Sequence, residues 1–349
     1  MKKYCSERGS KLLKFADRYI GIPFVFLLGL IKQKKKLPKK ISKIALLKTA
    51  AIGDTVILSA VLKDIEECNP SVKMILFTGS SNYEFAKLLT KQFKNLEVVK
   101  LPIKKPLKAI RIIRNYESDI FLDFGPWPRL NSIFTFFSIA KYTIGFKTNN
   151  QFRHYVYDKY VLHENNCHEL ENYRNIIKAI GINRNNLPQI NWIKKEINDD
   201  IISIHMFPGG SRNYLTKKNK KIYFTGAKAD KQKAEKIKNM CKDKDKIIIV
   251  AGKYSLEDTI KLLAKSKLVI SVNTGIMHIA SAINCNLIAL HGPTSNKRWG
   301  PLNKNSISIQ SQLKCSPCLN LGFEYACNEN KCMQKILPEN VLEKIKNII

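Results

Sequence analysis

The sequence predicts an α/β protein with two doubly wound halves, each built on a parallel sheet. Along most of the 349 residues, short apolar runs typical of buried strands alternate with amphipathic segments of helical length. Strands that alternate with helices pair in parallel through right-handed crossovers. The alternation pauses at the polar stretch Asn183–Asp200 and then resumes, which predicts two domains.

The first half, residues 41–185, is predicted to open with a strand at Ile44–Leu47 and a turn at Thr49–Gly53. A helix at Thr55–Cys68 follows, because Ile57, Val61 and Ile65 recur at helical spacing. Further strands are predicted at Lys73–Phe77, Leu96–Val99 and Ile120–Phe124, and helices at Tyr83–Thr90, Leu107–Asn115, Leu130–Ile139 and Glu169–Ile180. Residues 186–200 are assigned to the interdomain linker.

The second half, residues 201–336, repeats the pattern. Strands are predicted at Ile201–Phe207, Ile222–Thr225, Ile247–Val250, Leu268–Val272 and Leu287–Leu290, and helices at Lys231–Met240 and Leu256–Ala264. Pro338 opens a final helix within residues 337–349, with Val341, Leu342, Ile345 and Ile348 on its inner side. Two such halves are expected to face each other across a cleft, with ligands at the carboxyl ends of the strands.

A tight turn, Asn273-Thr274-Gly275, separates a predicted strand from a short apolar helix. A turn of this kind directs backbone N–H groups and the positive end of the helix dipole at one place, which favours a phosphate. His278 lies four residues after Thr274 and is expected on the same side of the helix start. An ordinary strand–turn–helix with a buried histidine is the alternative.

The formal charge of +32 predicts a surface that attracts polyanions. Nucleic acid, anionic membrane and phosphorylated lipid all qualify, but the sequence holds none of the common nucleic-acid-reading modules, so no specific nucleic acid is expected. Nine cysteines without a clear secretion signal indicate a reducing, cytosolic setting.

Four cysteines cluster near the C-terminus with the spacing C-x2-C-x8-C-x4-C: Cys315, Cys318, Cys327 and Cys332. This spacing permits a structural zinc site with four sulfur ligands. Reduced cysteines in an ordinary loop are the alternative, since the second pair is irregular.

A nearly uncharged segment, Tyr19–Ile31, is followed directly by a lysine-rich stretch that ends at Lys43. The segment is shorter than the roughly 20 apolar residues that cross a bilayer. Apolar residues followed by lysines favour an anchor that lies in the interface of an anionic membrane, within residues 1–40. The alternative is a helix packed on the protein's own core, followed by a solvated linker.

Three motifs in order resemble glycosyltransferase family 9, the bacterial heptosyltransferase family of lipopolysaccharide core synthesis. Leu46–Asp54 matches the opening strand, turn and Gly-Asp, and Pro208–Ser211 matches the central Pro-Gly-Gly-Ser. The string from Thr274 to Ala280, with Gly292–Thr294 and Trp299–Pro301, matches the family's closing signature. The resemblance covers nearly all of the chain.

The resemblance implies a two-domain GT-B fold and an inverting transfer from a nucleotide-sugar, ADP-heptose in the best-known members, with no required metal or other cofactor. The acceptor would be a phosphorylated lipid A–core sugar, reached by a protein attached peripherally to the cytoplasmic face of the inner membrane. Family position makes Asp54 the general base, which would take the acceptor proton. Helix capping by Asp54 is the alternative, because Asp is a favoured N-cap.

Other site residues follow from the same resemblance. Thr274, Gly275, Met277 and His278 match the donor phosphate turn, and Ser211 and Lys217, or its neighbour Lys218, match a second phosphate contact. Thr49 and Gly53 match the turn on the acceptor side.

Two departures from the family pattern motivate a second hypothesis. Asn273 stands where the family usually has Asp, and Arg212–Lys221 runs almost directly into the next strand with no room for a normal helix. The alternative function is therefore a weakened or catalytically silent GT-B module that binds a nucleotide-sugar or an anionic glycolipid.

Overall fold

The computed structural model describes residues 5–7, 11–205, 220–319, 325–327, 330–346 and 348. They divide into two compact units, with Glu7–Asn186 in the first and the chain from Leu187 onward in the second. Each unit contains one six-stranded sheet in which all neighbouring strands run parallel. The predicted α/β class is therefore confirmed.

The first unit holds the strands β1 (Lys43–Lys48), β2 (Lys73–Thr78), β3 (Leu96–Lys100), β4 (Ser118–Asp123), β5 (Ala140–Lys147) and β6 (Lys159–Leu162). Their order in the sheet is β3-β2-β1-β4-β5-β6. In register, Ile44 of β1 lies beside Met74 of β2 and Ile120 of β4. The order reverses direction between β1 and β4, the place where doubly wound sheets bind their ligands.

The helices of the first unit are α1 (Lys11–Tyr19), α2 (Gly21–Ile31), α3 (Ile52–Cys68), α4 (Tyr83–Leu89), α5 (Pro106–Arg114), α6 (Arg129–Phe136) and α7 (Glu169–Lys178). A 3-10 turn lies at Arg153–Val156. One face of the sheet is covered by a cluster that includes Phe77, Phe121 and Phe134, all fully buried.

The second unit holds β7 (Asn198–His205), β8 (Lys221–Thr225), β9 (Ile247–Ile249), β10 (Ser266–Val272), β11 (Leu287–His291) and β12 (Ser306–Gln310). Their order is β9-β8-β7-β10-β11-β12. The helices are α8 (Lys231–Asn239), α9 (Leu256–Lys265), α10 (Gly275–Ala282), α11 (Asn296–Trp299), α12 (Lys331–Gln334) and α13 (Pro338–Lys346). Short 3-10 turns lie at Lys228–Asp230 and Lys244–Lys246, and short strands at Cys5–Glu7 and Tyr325–Cys327 lie outside the two sheets.

The core of the second unit forms between its sheet and the final helix. Val341 and Ile345 of α13 are buried against Leu290, and Leu342 and Ile348 pack partly buried on the same cluster. The predicted inner side of the C-terminal helix is therefore confirmed.

Three strands of the two six-stranded sheets were not predicted: β5, β6 and β12. The helix predicted at Leu130–Ile139 ends instead at Phe136, and β5 begins at Ala140. Apolar residues recur from Leu130 to Ile139, directly before the strand, so the sequence pattern does not mark the point where the helix ends and the strand begins. The short β6 lies at the edge of its sheet with three of its four residues exposed and Val161 half-buried, which leaves no buried-strand pattern.

One side of α2 packs on the first unit. Val25 and Leu28 are buried against Val156, the last residue of the 3-10 turn, and Tyr157, which follows it. A side chain on Gly29 would collide with Tyr155, since its Cβ would lie 2.6 Å from the Tyr155 Cβ. The prediction of a helix packed on the protein's own core holds for this side of α2.

The other side of α1 and α2 is apolar and exposed. We define the α1–α2 patch as its exposed large apolar residues, namely Phe15, Tyr19, Ile20, Phe24, Phe26, Leu27, Leu30 and Ile31. No helix among the described residues combines the length and apolarity needed to cross a bilayer.

Asp119 joins the chain before β1 to the start of β4. Its Oδ2 accepts hydrogen bonds from the Ser42 and Lys43 backbone N–H groups, at 2.8 and 3.0 Å, and its Oδ1 accepts one from Lys141 Nζ at 2.8 Å. Burial by itself raises the pKa of Asp119, but these donors outweigh it and hold the pKa well below its usual range. The charged carboxylate therefore stabilises the fold.

We expect Asp119→Asn to lower the free energy of unfolding by about 1–3 kcal/mol at neutral pH, because a charged acceptor of several hydrogen bonds is lost. The pKa of Asp119 is lower in the folded than in the unfolded protein. The stability that the carboxylate contributes is therefore present at pH values above the pKa of Asp119 in the unfolded chain, near 4. The difference between wild type and variant should shrink as the pH falls below about 4.

Urea unfolding at pH 7 and pH 3 measures this difference. Glu117→Gln is the matched control, because Glu117 is a neighbouring but exposed carboxylate. A stability difference for Asp119→Asn that is equal at both pH values would contradict the prediction.

Candidate active site

Asp54 lies at the carboxyl edge of the first sheet, directly after β1. The helix α3 begins at Ile52 with Ala51 as its N-cap, so Asp54 is the third helical residue and not the residue before the helix. Its carboxylate contacts Lys48 and Tyr173 and makes no capping bond. The capping interpretation of Asp54 is therefore wrong, because the helix starts earlier than the sequence pattern indicates.

Lys48, the last residue of β1, forms an ion pair with Asp54. Its Nζ lies 2.5 Å from Asp54 Oδ1 and donates to the carbonyl oxygen of Phe124 at 3.1 Å. The Lys48 side chain is only 3% exposed. A buried ammonium group is stable only where such partners replace its lost hydration.

Tyr173 of α7 completes this group. Its hydroxyl donates to Asp54 Oδ1 at 2.9 Å, and Lys48 Nζ lies 5.0 Å from the centre of its ring. Both donors therefore contact the same carboxylate oxygen. Among the described residues, Asp54 Oδ2 has no hydrogen-bond partner, and the side chain is 22% exposed.

The turn that leads to Asp54 is fixed by side chains of the same unit. Thr49 Oγ1 donates to Asn131 Oδ1 at 3.1 Å, and Asn82 Nδ2 donates to the Lys48 carbonyl at 2.8 Å. A side chain on Gly79 would lie 2.1 Å from the Thr49 carbonyl oxygen, so only glycine permits this approach. Gly53 is buried in the first turn of α3.

A second buried network lies at the same edge, at the end of β4. Asp123 Oδ2 accepts hydrogen bonds from the Tyr157 hydroxyl, at 2.7 Å, and from Arg153, while its Oδ1 accepts one from the Gly125 N–H at 2.9 Å. Burial by itself lowers the pKa of Arg153, but the Asp123 charge outweighs it and the pKa is raised. The network is a fixed ion pair that holds the loop after β4.

The sequence did not point to Lys48, Tyr173 or the Asp123 network. Lys48 and Asp123 could have been found, because each is a charged residue at the end of a buried strand. Tyr173 lies 119 positions from Asp54, and nothing in its local sequence distinguishes it from a core tyrosine.

In the second unit, the predicted phosphate turn lies at the carboxyl end of β10. Thr274 is the N-cap of α10 and makes no side-chain cap, and Asn273 N–H donates to the Leu290 carbonyl at 3.2 Å. The N–H groups of Gly275, Ile276 and Met277 begin the helix and have no acceptor within it. The turn is partly exposed, so these donors suit an anion.

Met277 and His278 lie inside the second unit. Met277 is fully buried, and His278, which is 7% exposed, donates its N–H to the Thr274 carbonyl at 3.4 Å. Met277 therefore packs the helix onto the sheet.

Two histidines not singled out in the sequence, the half-buried His205 and the buried His291, end strands at the same edge. Burial lowers the pKa of His205, at the end of β7, and of His291, at the end of β11, each to about 4. His205 Nδ1 lies 3.0 Å from Thr225 Oγ1. Both imidazoles are neutral at physiological pH, so they add polarity but no charge to this edge.

Several predicted features fall outside the described residues. They are the turn Pro208–Ser211, with Ser211 itself, the lysines Lys217 and Lys218, and nearly all of the short connection Arg212–Lys221.

Two of the C-terminal cysteines, Cys318 and Cys332, lie beside the loop after β11. The Cys318 N–H donates to the Pro293 carbonyl at 2.9 Å, and Cys332 Sγ would lie 3.1 Å from a Cβ on Gly292. Cys315 and Cys318 are exposed and Cys332 is buried, while the side chain of Cys327 lies outside the described residues. Within the described part of the chain, no three His, Cys, Asp or Glu side chains are placed to share a metal ion.

Residues 212–329 match the family model for glycosyltransferase family 9 (heptosyltransferase). Lipooligosaccharide heptosyltransferase 2 of Campylobacter jejuni serotype O:2 is 25% identical over 130 residues, which is 37% of this chain and 40% of that protein. Lipopolysaccharide heptosyltransferase 2 of Escherichia coli K12 is 37% identical over 106 residues, 29% of this chain and 28% of that protein. The chain thus spans about two fifths or less of these relatives' length in sequence.

Solved structures resemble nearly the whole chain. The E. coli heptosyltransferase WaaC with ADP matches with a TM-score of 0.69 and 15% identity, covering 88% of this chain and 100% of that one. A glycosyltransferase family 9 structure from Veillonella parvula matches with a TM-score of 0.71 and 16% identity over 90% of this chain and 99% of that one. At this identity the likeness shows a shared fold, which is GT-B.

The two comparisons agree with each other and with the motifs. The sequence match covers the segment that contains β10, the phosphate turn and α10. The structural match extends the likeness to the unit that contains Asp54. The resemblance of this chain to glycosyltransferase family 9 is therefore confirmed.

Proposed function

We propose that this chain is an inverting glycosyltransferase that moves heptose from ADP-heptose onto the lipid A–core oligosaccharide of lipopolysaccharide or lipooligosaccharide. The observation that carries the proposal is Asp54, a carboxylate at the carboxyl edge of a doubly wound sheet. One of its oxygens is held by Lys48 and Tyr173, and the other has no hydrogen-bond partner within the described part of the chain. The relatives named heptosyltransferases support the substrate class, as does WaaC with ADP-2-deoxy-2-fluoro heptose, which matches with a TM-score of 0.65.

In the proposed reaction, Asp54 Oδ2 accepts the proton of the acceptor hydroxyl. The hydroxyl oxygen forms its bond to the anomeric carbon as the bond from that carbon to the diphosphate breaks, which inverts the configuration. General base catalysis of this kind contributes about 10²–10⁴-fold to the rate. Thr49 and Gly53 belong to the turn that orients Asp54, and we propose no contact with the acceptor for either.

The leaving group is a nucleoside diphosphate, and its developing charge must be stabilised. The N–H groups at the start of α10, after Thr274, supply donors and the positive end of the helix dipole. Ser211 and Lys217 remain proposed phosphate contacts on family position alone, and the reaction as written requires no metal.

A weakened or silent module that only binds nucleotide-sugar or anionic glycolipid is the second candidate. Asn273 favours it, because a carboxylate usual in the family is absent beside the phosphate turn. The intact Lys48–Asp54–Tyr173 group favours an active enzyme, since a binding module has no need of a buried lysine that orients a carboxylate.

We further propose that the α1–α2 patch lies in the interface of an anionic membrane on the cytoplasmic side, where the lipid acceptor is available. The patch places apolar side chains such as Leu27 and Leu30, which are 58% and 68% exposed, beside exposed lysines that include Lys34 and Lys36. Asp158 binds the backbone N–H of Lys35, at 2.8 Å, and Lys32 Nζ, at 3.0 Å, which fixes the lysine stretch to the first unit.

We expect Asp54→Asn to lower heptose transfer by at least about 10²-fold, because the amide cannot accept the hydroxyl proton. Mass spectrometry of a heptose-deficient glycolipid acceptor incubated with ADP-heptose measures transfer, and calorimetry measures ADP binding, which should not change.

Glu84→Gln is the matched control, because Glu84 is an exposed acid in the first turn of α4 in the same unit. A wild-type protein that binds ADP but transfers none of several nucleotide-sugars would support the silent module. Full activity of the Asp54→Asn variant would show that another group is the base.

For the membrane proposal, we expect Leu27→Ser together with Leu30→Ser to weaken binding to vesicles of phosphatidylglycerol and phosphatidylethanolamine at least about tenfold, because burial of each leucine contributes roughly 1.5–3 kcal/mol. Sedimentation with vesicles measures the binding. Leu107→Ser is the control, since Leu107 is 73% exposed on the same unit but outside the patch. Equal binding by both variants would contradict the proposal.

A further inference from the structure

We propose that Tyr173 is a positioning residue that selects Asp54 Oδ2 as the atom that receives the acceptor proton. This inference rests on the proposed role of Asp54 as general base. A carboxylate has two chemically equivalent oxygens, and an enzyme gains rate when only one of them is presented in a fixed direction. The arrangement around Asp54 breaks that equivalence.

The two donors converge on one oxygen. Lys48 Nζ at 2.5 Å and the Tyr173 hydroxyl at 2.9 Å both contact Oδ1. Rotation of the carboxyl group by half a turn would exchange the two oxygens, and a large rotation short of that would move Oδ1 away from both donors. With Lys48 alone, a single flexible ammonium group would follow the carboxylate as it turned, because an ammonium group is a compact point charge with rotatable donors. The Tyr173 hydroxyl adds a second hydrogen bond to Oδ1 from another direction, and the two bonds together fix the orientation of the carboxylate.

Tyr173 can serve as a fixed point because its own position is rigid. The residue is fully buried, with its ring edge-on to Phe124 at 5.4 Å between centroids and tilted against Phe146 at 6.4 Å. The helix that carries it is anchored at its start, where Glu169 Oε1 lies 3.0 Å from His163 Nε2 and both side chains are fully buried. The hydroxyl therefore has little freedom to move with Asp54.

Lys48 also holds Tyr173. The ammonium group lies 5.0 Å from the ring centre, and this cation–π contact adds to the contact of both residues with Oδ1. In the proposed step, the proton of the acceptor hydroxyl moves to Oδ2, while Tyr173 and Lys48 keep their own protons. Neither residue is a proton carrier, and neither touches the substrate.

The test is Tyr173→Phe, which keeps the ring and its packing and removes only the hydroxyl. We expect kcat to fall about tenfold or more, because a hydrogen bond to a charged group is lost; tenfold corresponds to about 1.4 kcal/mol. The KM for ADP-heptose should stay within about twofold, since the donor is proposed to bind the other unit.

Tyr116→Phe is the matched control. It also removes a tyrosine hydroxyl that donates to a carboxylate, Glu97 Oε1 at 2.8 Å, but away from Asp54. If Tyr173 has only a structural role, Tyr173→Phe should lower the midpoint of thermal unfolding more than Tyr116→Phe does. The kcat of the folded Tyr173→Phe protein should then be unchanged.

Two further variants keep the test decisive if Tyr173→Phe does not fold. Replacement of Tyr173 by 4-aminophenylalanine supplies a donor of nearly the same size, and 4-methylphenylalanine fills the space without one. We expect the amino form to retain kcat within about threefold and the methyl form to lose it as the Phe variant does. Equal activity of the two forms would overturn the inference.

Failure of the inference can be told apart from failure of the proposed base. If Asp54→Asn is inactive and Tyr173→Phe matches wild type, Asp54 is the base and Tyr173 does not position it. If Asp54→Asn is fully active, the proposed base is wrong whatever Tyr173→Phe does. In the Asp54→Asn background, Tyr173→Phe should cause no further loss of residual activity, because the two residues act as one unit.

Discussion

The buried ammonium group of Lys48 is the constraint around which the first unit's site is built. Removing such a charge from water costs several kcal/mol, so the group must be surrounded by partners. Those partners come from three places: the carboxylate of Asp54 on α3, the Phe124 carbonyl at the end of β4, and the Tyr173 ring on α7. One cation thus joins segments that are far apart in the sequence, and each of them is held where the proposed chemistry needs it.

Local sequence was enough to predict most of the fold, because the central strands are short apolar runs with polar boundaries. β1 and β10 are examples, and the structure extends each predicted strand by only one or two residues at an end. β5 and β6 were missed for different reasons. β5 follows a helix whose apolar residues recur up to Ile139, so no boundary shows in the sequence, and β6 lies at the sheet edge, where side chains need not be apolar.

The candidate site was predictable only where its residues are close in sequence. Gly53 and Asp54, or Thr274 and Gly275, form motifs that are visible in one line of letters. Tyr173 reaches Asp54 only through the packing of α7, and Arg153 reaches Asp123 only through burial of the whole network. Such partners are set by tertiary structure, and a single sequence carries no local sign of them.

The two sheets have the same strand order, with the reversal between β1 and β4 in one and between β7 and β10 in the other. Asp54 follows the strand on one side of the first reversal, and Thr274 follows the strand on one side of the second. Each unit also has its own core. A substitution in one unit therefore need not disturb the other, so the proposed recognition of the nucleotide and the proposed recognition of the glycolipid can diverge separately in evolution.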